Sequence, residues 1–412
     1  MRITFLTLKI DLVKGGGANR GLDIKLRSLQ ARGHNVRLLT IFPERNLLPP
    51  EGVPYPVESV PCPDRTFRAL QSFVVDVLKK NEARTDVYHI DGVTSLWAGG
   101  MYRKNGGRVP VAAYLSTYTE AMNLLTYEPP ELADGLWPWL QFHIDVRMVW
   151  IKNWLWAKTV GLAFARHLDL VFVPSPTSGE HYARFGFPAN RIEVMPEFID
   201  AKHFRAEQFP TQPYPSAFGT DRPFRLLHVG RLMRMKGVDL LIRAVSALRH
   251  SGKNIEVTIL GDGPQLERLK RLTNELAAND GVIFAPWVEE EQLSPFYSAC
   301  DAFVHSCRFP EPLGRTMIEA MFFARPIVTA EDTGSAWAAG NAGITARMGS
   351  AADLERVLAE LYDHPQRLAE LSAATKARVA FFDVERWAEK LEQFLTRLTS
   401  AQTDTSGVSR SS

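Results

Sequence analysis

The stretch Phe309-Pro-Glu-Pro-Leu-Gly-Arg-Thr-Met-Ile-Glu-Ala-Met321 places two carboxylates, Glu311 and Glu319, eight positions apart around the junction of a loop and a helix. A proline and a glycine between them favour a turn, and residues 316 to 323 favour a helix, so the N–H groups of residues 313 to 316 are expected to point out of the helix start. Such a helix start favours an anion. The two carboxylates would then reach different parts of one ligand, and a ligand with a phosphate and a sugar would separate them suitably.

Two further motifs lie upstream of this junction. His228-Val-Gly-Arg-Leu-Met-Arg-Met-Lys-Gly237 follows an apolar, strand-like run, and Ile259-Leu-Gly-Asp-Gly-Pro264 ends another. In order and spacing, the three segments resemble the E-x7-E, G-R-x4-K-G and G-x-G-P motifs of the retaining glycosyltransferases of family 4, which have the GT-B fold. The resemblance covers most of residues 1 to 400, and its strongest motifs lie in residues 225 to 330.

The resemblance implies a role for four charged side chains. Arg231 and Lys236 would grip the diphosphate of a nucleoside diphosphate sugar and stabilise the charge that grows on the leaving group. Glu311 would contact a donor-sugar hydroxyl near the reacting carbon, and Glu319 would accept hydrogen bonds from the ribose. We therefore predict Glu311, Arg231 and Lys236 as catalytic. For Arg231 and Lys236 the alternative is a solvated basic loop. For Glu311 it is a carboxylate that caps the following helix, and for Glu319 a carboxylate on the helix surface.

Further donor-binding positions are predicted where glycine allows close approach or where the family contacts its ligand: Gly16, Gly17, Gly230, Gly261, Gly263, Val288, Leu313 and Gly314. The run from Gly15 to Gly17 follows the first strand, where its amides can face an anion. A loop without ligand contact is the alternative. The glycines of the G-x-G segment serve equally well to shape a turn. We interpret Trp287, next to Val288, as a core residue.

Composition narrows the class of protein. A chain of 412 residues suits two domains, and 48 Lys and Arg against 46 Asp and Glu give a net charge of +2, which calls for no nucleic-acid partner. Three cysteines without a CxxC pair, Cys62, Cys300 and Cys307, fit free thiols in a reducing compartment. The N-terminus reads as a strand and not as a signal peptide, so we expect a cytoplasmic protein. Charged residues interrupt the apolar stretch 136 to 164, which therefore fails as a membrane span.

Strand-like and helix-like runs alternate along both halves, which predicts an α/β protein with two Rossmann-like, doubly wound parallel sheets; the resemblance adds that the two domains face each other across a cleft. We place an N-terminal acceptor-side domain at residues 1–203, a Pro-rich linker at 204–223 and a nucleotide-sugar domain at 224–380. A terminal helix at 381–400 is expected to return to the N-terminal domain, by resemblance, before a disordered tail at 401–412. Strands are predicted at residues 3–8, 36–41, 87–90, 111–115, 170–173, 192–195, 225–229, 255–260, 282–284, 302–305 and 326–329.

The acceptor side departs from the family's pattern. Where family members often carry a histidine after a strand, this chain has Ser116 and Thr117. His89 and Asp91 follow another strand and are candidates for the acceptor side, although His89 suits a core position equally well. Residues 117 to 156 carry five tryptophans, at positions 137, 139, 150, 154 and 156. Core packing of a long helix is the favoured interpretation, and peripheral membrane contact near a lipid-linked acceptor is the second.

The leading functional hypothesis is a retaining glycosyltransferase that moves a sugar from a UDP- or GDP-type donor to a hydroxyl of a glycan, a lipid-linked sugar or a small molecule, as in polysaccharide or glycoconjugate biosynthesis. No cofactor or metal is expected, because Arg231 and Lys236 neutralise the diphosphate and no Asp-x-Asp lies in a suitable loop. The alternative is a catalytically silent regulator that binds sugar nucleotides. An epimerase or a phosphorylase would need a His–carboxylate set or a cofactor-binding lysine that we do not find.

Overall fold

The computed structural model describes residues 1–13, 16–117, 136–211, 213–219 and 221–408. These residues form two compact units. Unit 1 draws its described residues from Met1–Glu120, Ile151–Ile199 and Val384–Ser412, and unit 2 from Ala121–Trp150 and Asp200–Asp383. Gly15, residues 118 to 135 of the aromatic stretch and residues 409 to 412 of the expected tail lie outside the described residues.

Unit 1 contains a seven-stranded sheet in which every pair of neighbouring strands is parallel. Its strand order is β3-β2-β1-β4-β5-β6-β7, so the direction of winding reverses between β1 and β4. The strands are β1 Arg2–Thr7, β2 Asn35–Thr40, β3 Val57–Ser59, β4 Val87–Asp91, β5 Val111–Tyr114, β6 Leu170–Val173 and β7 Ile192–Val194.

Unit 2 contains a six-stranded parallel sheet in the order β10-β9-β8-β11-β12-β13. The reversal here falls between β8 and β11. The strands are β8 Phe224–Val229, β9 Ile255–Leu260, β10 Val282–Ala285, β11 Ala302–His305, β12 Ile327–Ala330 and β13 Gly343–Ala346. The two sheets confirm the predicted α/β class with two Rossmann-like, doubly wound halves.

Helices connect most of the consecutive strands, as is usual for parallel neighbours, while β2 and β3 are joined by a loop with the 3₁₀ turn Pro43–Arg45. The helices are α1 Gly17–Ala31, α2 Phe67–Asn81, α3 Val93–Lys104, α4 Leu136–Trp156, α5 Leu162–Ala165, α6 Pro176–Phe185, α7 Ala201–Phe204, α8 Val238–His250, α9 Leu266–Glu275, α10 Ser294–Ala299, α11 Arg315–Phe322, α12 Gly334–Ala339, α13 Ala351–Asp363, α14 Pro365–Val379 and α15 Val384–Val408. A π-helical turn, Ala157–Gly161, joins α4 to α5. Among the described residues, every helix is too short or too polar to cross a bilayer.

The helix α15 belongs to unit 1 and ends at Val408, beyond the expected end at residue 400. Its Glu392 carboxylate accepts hydrogen bonds from Arg32 Nε at 2.6 Å and lies 2.9 Å from His34 Nε2. Phe394 packs edge-on against Phe172 of β6, with ring centroids 5.5 Å apart. The chain therefore returns to the first sheet after completing the second.

The central strands of the second sheet, β8, β11 and β12, are buried on both faces, as in a parallel sheet covered by helices on both sides. The helix α8 packs on it through a stripe at helical spacing, Leu241, Val245 and Leu248, all at most 2% exposed. This packing holds the loop between β8 and α8 in place, and that loop carries one of the predicted motifs.

Candidate active site

The two strongest motifs meet at one edge of the second sheet. The strand β8 ends at Val229 and leads into Gly230 and Arg231, while its neighbour β11 ends at His305 and leads into the loop that carries Glu311. The carboxyl ends of parallel strands lie at the same edge, and a crevice forms there where the winding reverses. The topology thus brings together residues that the sequence separates widely.

The centre of this site is an ion pair between Lys236 and Glu311. Lys236 Nζ donates a hydrogen bond to Glu311 Oε2 at 2.6 Å, across 75 positions of sequence. Burial disfavours the charged form of both groups. The attraction between the two opposite charges outweighs this cost of burial. The pKa of Lys236 is therefore raised above its ordinary value, and the pKa of Glu311 is lowered. Both groups stay ionised at neutral pH.

Backbone contacts fix the two loops against each other. Arg308 N–H donates to the Met235 carbonyl at 2.8 Å, and the Ser306 hydroxyl donates to the Gly237 carbonyl at 3.0 Å. Gly237 has φ +64°, and a Cβ there would lie 2.0 Å from the Ser306 carbonyl oxygen. The glycine of the predicted motif is thus required by close packing of the two loops, independently of any ligand.

The helix α11 begins beside this ion pair. Gly314 is its N-cap, with φ +82°, and in the described part of the chain no side chain caps the helix N–H groups. The Thr316 hydroxyl donates to the Val229 carbonyl at 3.0 Å, which ties the helix start to the end of β8. Leu313, just before the cap, is buried. The uncapped N–H groups near Lys236 make this a suitable place for an anion.

Glu319 lies on the second turn of α11 and is 3% exposed. The Tyr297 hydroxyl donates to its Oε2 at 2.8 Å, and Arg315 Nε donates to its Oε1 at 2.9 Å. Burial raises the pKa of Glu319, and Arg315 only partly offsets it. The alternative of a surface helix carboxylate is wrong, since the side chain is held in a buried network.

The other predicted donor-side residues differ in exposure. Arg231 is exposed, and no carboxylate pairs with its guanidinium in the described part of the chain. Val288 is half-buried. Trp287 is 48% exposed, so its interpretation as a core residue is wrong. It follows the end of β10, where the chain has already left the sheet, and its ring therefore does not reach the core.

The glycines of the G-x-G segment pack against the loop that follows β8. A Cβ on Gly261 would lie 2.0 Å from the Gly230 carbonyl oxygen, and one on Gly263 would lie 2.5 Å from that of Leu232. Both have positive φ, +152° and +155°. Backbone packing explains their presence, and contact of these glycines with a donor stays a prediction.

Three buried side chains of this site were not singled out from the sequence. His305 and Cys307 lie on the same side of the chain at the end of β11, with His305 Nε2 and Cys307 Sγ 3.4 Å apart. The Cys307 thiol also donates to Glu311 Oε2 at 3.4 Å. Burial lowers the pKa of His305 to about 3 and raises that of Cys307 well above its ordinary value. The signal available was the alternation His-x-Cys at a strand end, four residues before a predicted catalytic carboxylate.

The third is His228, on β8. Its Nδ1 lies 3.0 Å from the Val304 carbonyl, which can only accept, so Nδ1 carries the proton. Nε2 is buried without a hydrogen-bond partner among the described residues. Burial lowers the pKa of His228 to about 4. The ring is neutral at physiological pH.

In unit 1 the structure places the predicted acceptor-side residues at the carboxyl ends of β4 and β5. His89 is fully buried between Phe5 and Phe172, with ring centroids 4.6 and 5.8 Å away. Its Nδ1 lies 3.0 Å from Asp91 Oδ2. His89 therefore lies in the core, which was the alternative interpretation of this residue.

The other predicted residues of unit 1 are less buried. Ser116 and Thr117 are half-buried after β5. Gly16 is the exposed N-cap of α1, and Gly17 is its first residue; among the described residues, no side chain caps this helix start.

A buried lysine lies beside Asp91 and was missed. Lys25 is 2% exposed, and its Nζ lies 3.8 Å from Asp91 Oδ1 and 3.3 Å from the centre of the Tyr114 ring. Burial lowers the pKa of Lys25 despite the nearby carboxylate. Lys25 lies on the buried face of α1 together with Leu22 and Leu29. A lysine in line with apolar residues at helical spacing is the sequence feature that could have indicated this buried position.

The aromatic stretch is only partly core. Trp156 packs edge-on against Phe67 and Trp97, with ring centroids 4.6 and 5.4 Å away. Trp137, in contrast, is 72% exposed, and Met148 and Ile144 are 62% and 57% exposed. The favoured interpretation as a packed core helix therefore holds for the end of α4 and is wrong for its exposed apolar side chains. The side chain of Trp139 lies outside the described part of the structure.

Comparison with known families matches both halves of the chain. Residues 15–203 match the model of Glycosyltransferase Family 4, and residues 215–378 match that of Glycosyl transferases group 1. Among curated relatives, the GDP-mannose-dependent alpha-(1-6)-phosphatidylinositol monomannoside mannosyltransferase of Mycolicibacterium smegmatis is 29% identical over 187 residues, 43% of this chain and 48% of the relative. The D-inositol 3-phosphate glycosyltransferase 1 of Catenulispora acidiphila is 30% identical over 53% of this chain and 54% of its own length. The chain spans about half the length of the curated relatives it matches.

Solved structures show the same fold over nearly the whole chain. HepE of Anabaena, in complex with UDP and glucose, has a TM-score of 0.67 at 19% identity and covers 96% of this chain and 99% of its own. Sucrose-phosphate synthase of Thermosynechococcus elongatus has a TM-score of 0.70 at 20% identity, with 97% and 99% covered.

Proposed function

The chain belongs to glycosyltransferase family 4, and from that premise we propose that it transfers a sugar from a nucleoside diphosphate sugar to a hydroxyl of a glycan, a lipid-linked sugar or a small molecule, with retention at the anomeric carbon. The observation that carries the proposal is the ion pair of Lys236 and Glu311 at the reversal point of the second sheet, beside the uncapped start of α11. HepE, which has the same fold and was solved in complex with UDP and glucose, supports a donor of this class.

The cations would act on the leaving group. As the bond between sugar and phosphate breaks, negative charge grows on the diphosphate, and donors already in place there lower the barrier. Lys236 has three N–H donors and gives one to Glu311, so two remain for phosphate oxygens. Arg231 would add a planar pair of donors from the exposed loop. With these cations the reaction needs no metal.

Glu311 would act on the sugar. Its charge, maintained by Lys236, lets it accept a hydrogen bond from a donor-sugar hydroxyl and hold the reacting carbon in place. The acceptor hydroxyl would attack from the face that the phosphate leaves, and the departing phosphate would take its proton. Glu319 would accept from the ribose with oxygen lone pairs that Tyr297 and Arg315 leave open.

Turnover tests this proposal. UDP- and GDP-sugars are incubated with the purified chain and mixed acceptors, and nucleoside diphosphate release is followed together with the anomeric configuration of the product. We expect release with one donor and a retained configuration, with the rate reduced about 100-fold or more in Glu311→Gln. Donor binding without any release would instead favour a silent sugar-nucleotide-binding regulator, and an inverted product would contradict retention.

We also propose peripheral membrane contact through the exposed apolar side chains of α4. Trp137, Ile144 and Met148 are each more than half exposed, and such side chains can enter a lipid interface. The wild type should sediment with anionic vesicles, and the double variant Ile144→Glu/Met148→Glu should not. Equal sedimentation of the two proteins, or none of the wild type, would contradict the proposal.

A further inference from the structure

The buried side chains around Glu311 form a set of soft and hard ligands in one place. His305, Cys307 and Glu311 each offer one atom, and these three atoms lie within 4.8 Å of one another. The site combines an imidazole nitrogen, a thiol and a carboxylate, which is a set that Zn²⁺ accepts. In family 4 chemistry as proposed above, only the carboxylate has a role.

Two of the separations between these atoms match a tetrahedral ion. Zn²⁺ binds sulfur at about 2.3 Å and nitrogen or oxygen at about 2.0–2.2 Å, so its ligand atoms lie about 3.3–3.6 Å apart. In the structure, Cys307 Sγ is 3.4 Å from His305 Nε2 and 3.4 Å from Glu311 Oε2. Two of the three separations therefore already lie in this range, and all three ligand atoms lie within 4.8 Å of one another.

The histidine has a partner on its second nitrogen. Ser335 Oγ lies 3.2 Å from His305 Nδ1 and can accept its proton in a hydrogen bond, which leaves the Nε2 lone pair available to an ion. Cys307 Sγ lies 3.4 Å from Nε2 and 3.7 Å from Nδ1, over the ring, so the imidazole has to turn for the nitrogen and the sulfur to bind one ion. Metal-bound histidines are commonly held in this way by a partner on the second nitrogen. Both His305 and Cys307 are at most 3% exposed, so their positions are fixed by packing.

Lys236 is the competitor for this position. Its Nζ donates a hydrogen bond at 2.6 Å to Glu311 Oε2, the oxygen that would bind the ion. A divalent cation on that oxygen would repel the ammonium group. The Lys236 side chain is 23% exposed, so it has a path into solvent. An ion on Glu311 would thereby remove both the carboxylate and the lysine that the proposed transfer needs.

We propose that His305 Nε2, Cys307 Sγ and Glu311 Oε2 form an inhibitory site for a thiophilic divalent cation, Zn²⁺ being the best fit. On binding, the Cys307 thiol loses its proton to solvent, the sulfur–metal bond forms, Lys236 leaves Glu311, and a water molecule completes the coordination. No atom is oxidised or reduced. The inhibitory effect rests on the proposed function; the binding of the ion does not.

Cobalt provides a readout that is independent of activity. The full chain is reduced, freed of metal with a chelator and titrated with Co²⁺, whose bond to a thiolate gives a charge-transfer absorption in the near ultraviolet. We expect one equivalent to bind with this absorption and Zn²⁺ to displace it. The absorption should be lost in Cys307→Ser and weakened in His305→Asn, and it should persist in Cys300→Ser, a buried thiol of the same unit.

Lys236→Ala gives a second and opposite test. Because it removes the competing ammonium, it should strengthen Zn²⁺ binding, by about tenfold, while it weakens nucleotide binding. Ser335→Ala should weaken Zn²⁺ binding about tenfold through the orientation of His305. Circular dichroism and the thermal midpoint verify that each variant is folded.

Two results would overturn the proposal: no charge-transfer absorption in the wild type, or the same absorption in Cys307→Ser. Zn²⁺ should also abolish the rise in melting temperature that a nucleoside diphosphate causes in the wild type. A chain that shows the cobalt absorption but never responds to a sugar nucleotide would refute the proposed transferase and leave the metal site standing.

Discussion

The contact between Lys236 and Glu311 decides how single substitutions in the site are to be interpreted. Removing either partner leaves the other charge partly buried without its counter-ion, and such a loss destabilises the fold as well as the site. Activity lost in Lys236→Ala therefore has two possible sources. Arg234 lies on the same turn as Lys236, and no carboxylate pairs with it among the described residues, so Arg234→Ala is the matched control for any measurement on Lys236.

His228 predicts a pH dependence of stability. Its pKa is about 4 in the folded chain against about 6.5 for an unperturbed histidine, so between these values the unfolded chain takes up a proton that the folded chain refuses. The free energy of unfolding should fall as the pH is lowered through this window, by up to about 3 kcal/mol from this residue. Denaturant unfolding at a series of pH values measures the slope.

His228→Gln should reduce that slope, whereas the exposed His364→Gln of the same unit should keep it. A slope unchanged by His228→Gln would contradict the buried, neutral state of this ring.

At the scale of single residues, the sequence predicted which residues lie in the site better than it predicted which side chains contact each other. Lys236 and Glu311 were each assigned to the donor, one to its phosphates and one to its sugar, but their ion pair depends on the adjacency of β8 and β11 and has no local signal. His305, Cys307 and Lys25 were missed for a related reason. Each is a polar residue within an apolar pattern, and only tertiary packing shows what it faces.

Among the secondary-structure elements, the loop between β8 and α8 depends on one glycine. Gly237→Ala would strain a left-handed backbone and place a methyl group against the Ser306 carbonyl. Gly252, at the other end of α8, has φ +87° but open space around its Cβ position, so Gly252→Ala carries the backbone strain alone, about 1–2 kcal/mol.

Thermal unfolding should therefore show a larger drop in the midpoint for Gly237→Ala than for Gly252→Ala. Equal drops would mean that the two loops are not packed as closely as described.

Long, periodic elements were predicted well, and two of the four edge strands were missed. The bounds of β8 and β9 agree with the predicted ranges to within one residue, since buried strands carry a clear apolar pattern. The strands β3 and β13 were missed. Both are three or four residues long and lie at sheet edges, where Val57–Ser59 and Gly343–Ala346 carry little apolar signal.

For the molecule as a whole, the order of the motifs along the chain was the main basis for predicting the fold. Three spaced motifs in the second half identified one Rossmann-like unit and its family, and strand alternation predicted a second unit without any motif of comparable strength. The first unit, where the acceptor is expected, is accordingly the one whose chemistry the sequence defined least. Its departures at Ser116 and Thr117 bear on the acceptor and not on the fold.

The donor site is tested most sharply by the thermal midpoint of the chain with a panel of nucleoside diphosphates and their sugars. A ligand that binds only the folded state stabilises it by about 2.7 kcal/mol at one hundred times its dissociation constant. We predict that one nucleotide class raises the midpoint of the wild type and of Arg234→Ala, and that Lys236→Ala loses this rise. No rise with any nucleotide, or the same rise in Lys236→Ala, would contradict a donor site built on Lys236 and Glu311.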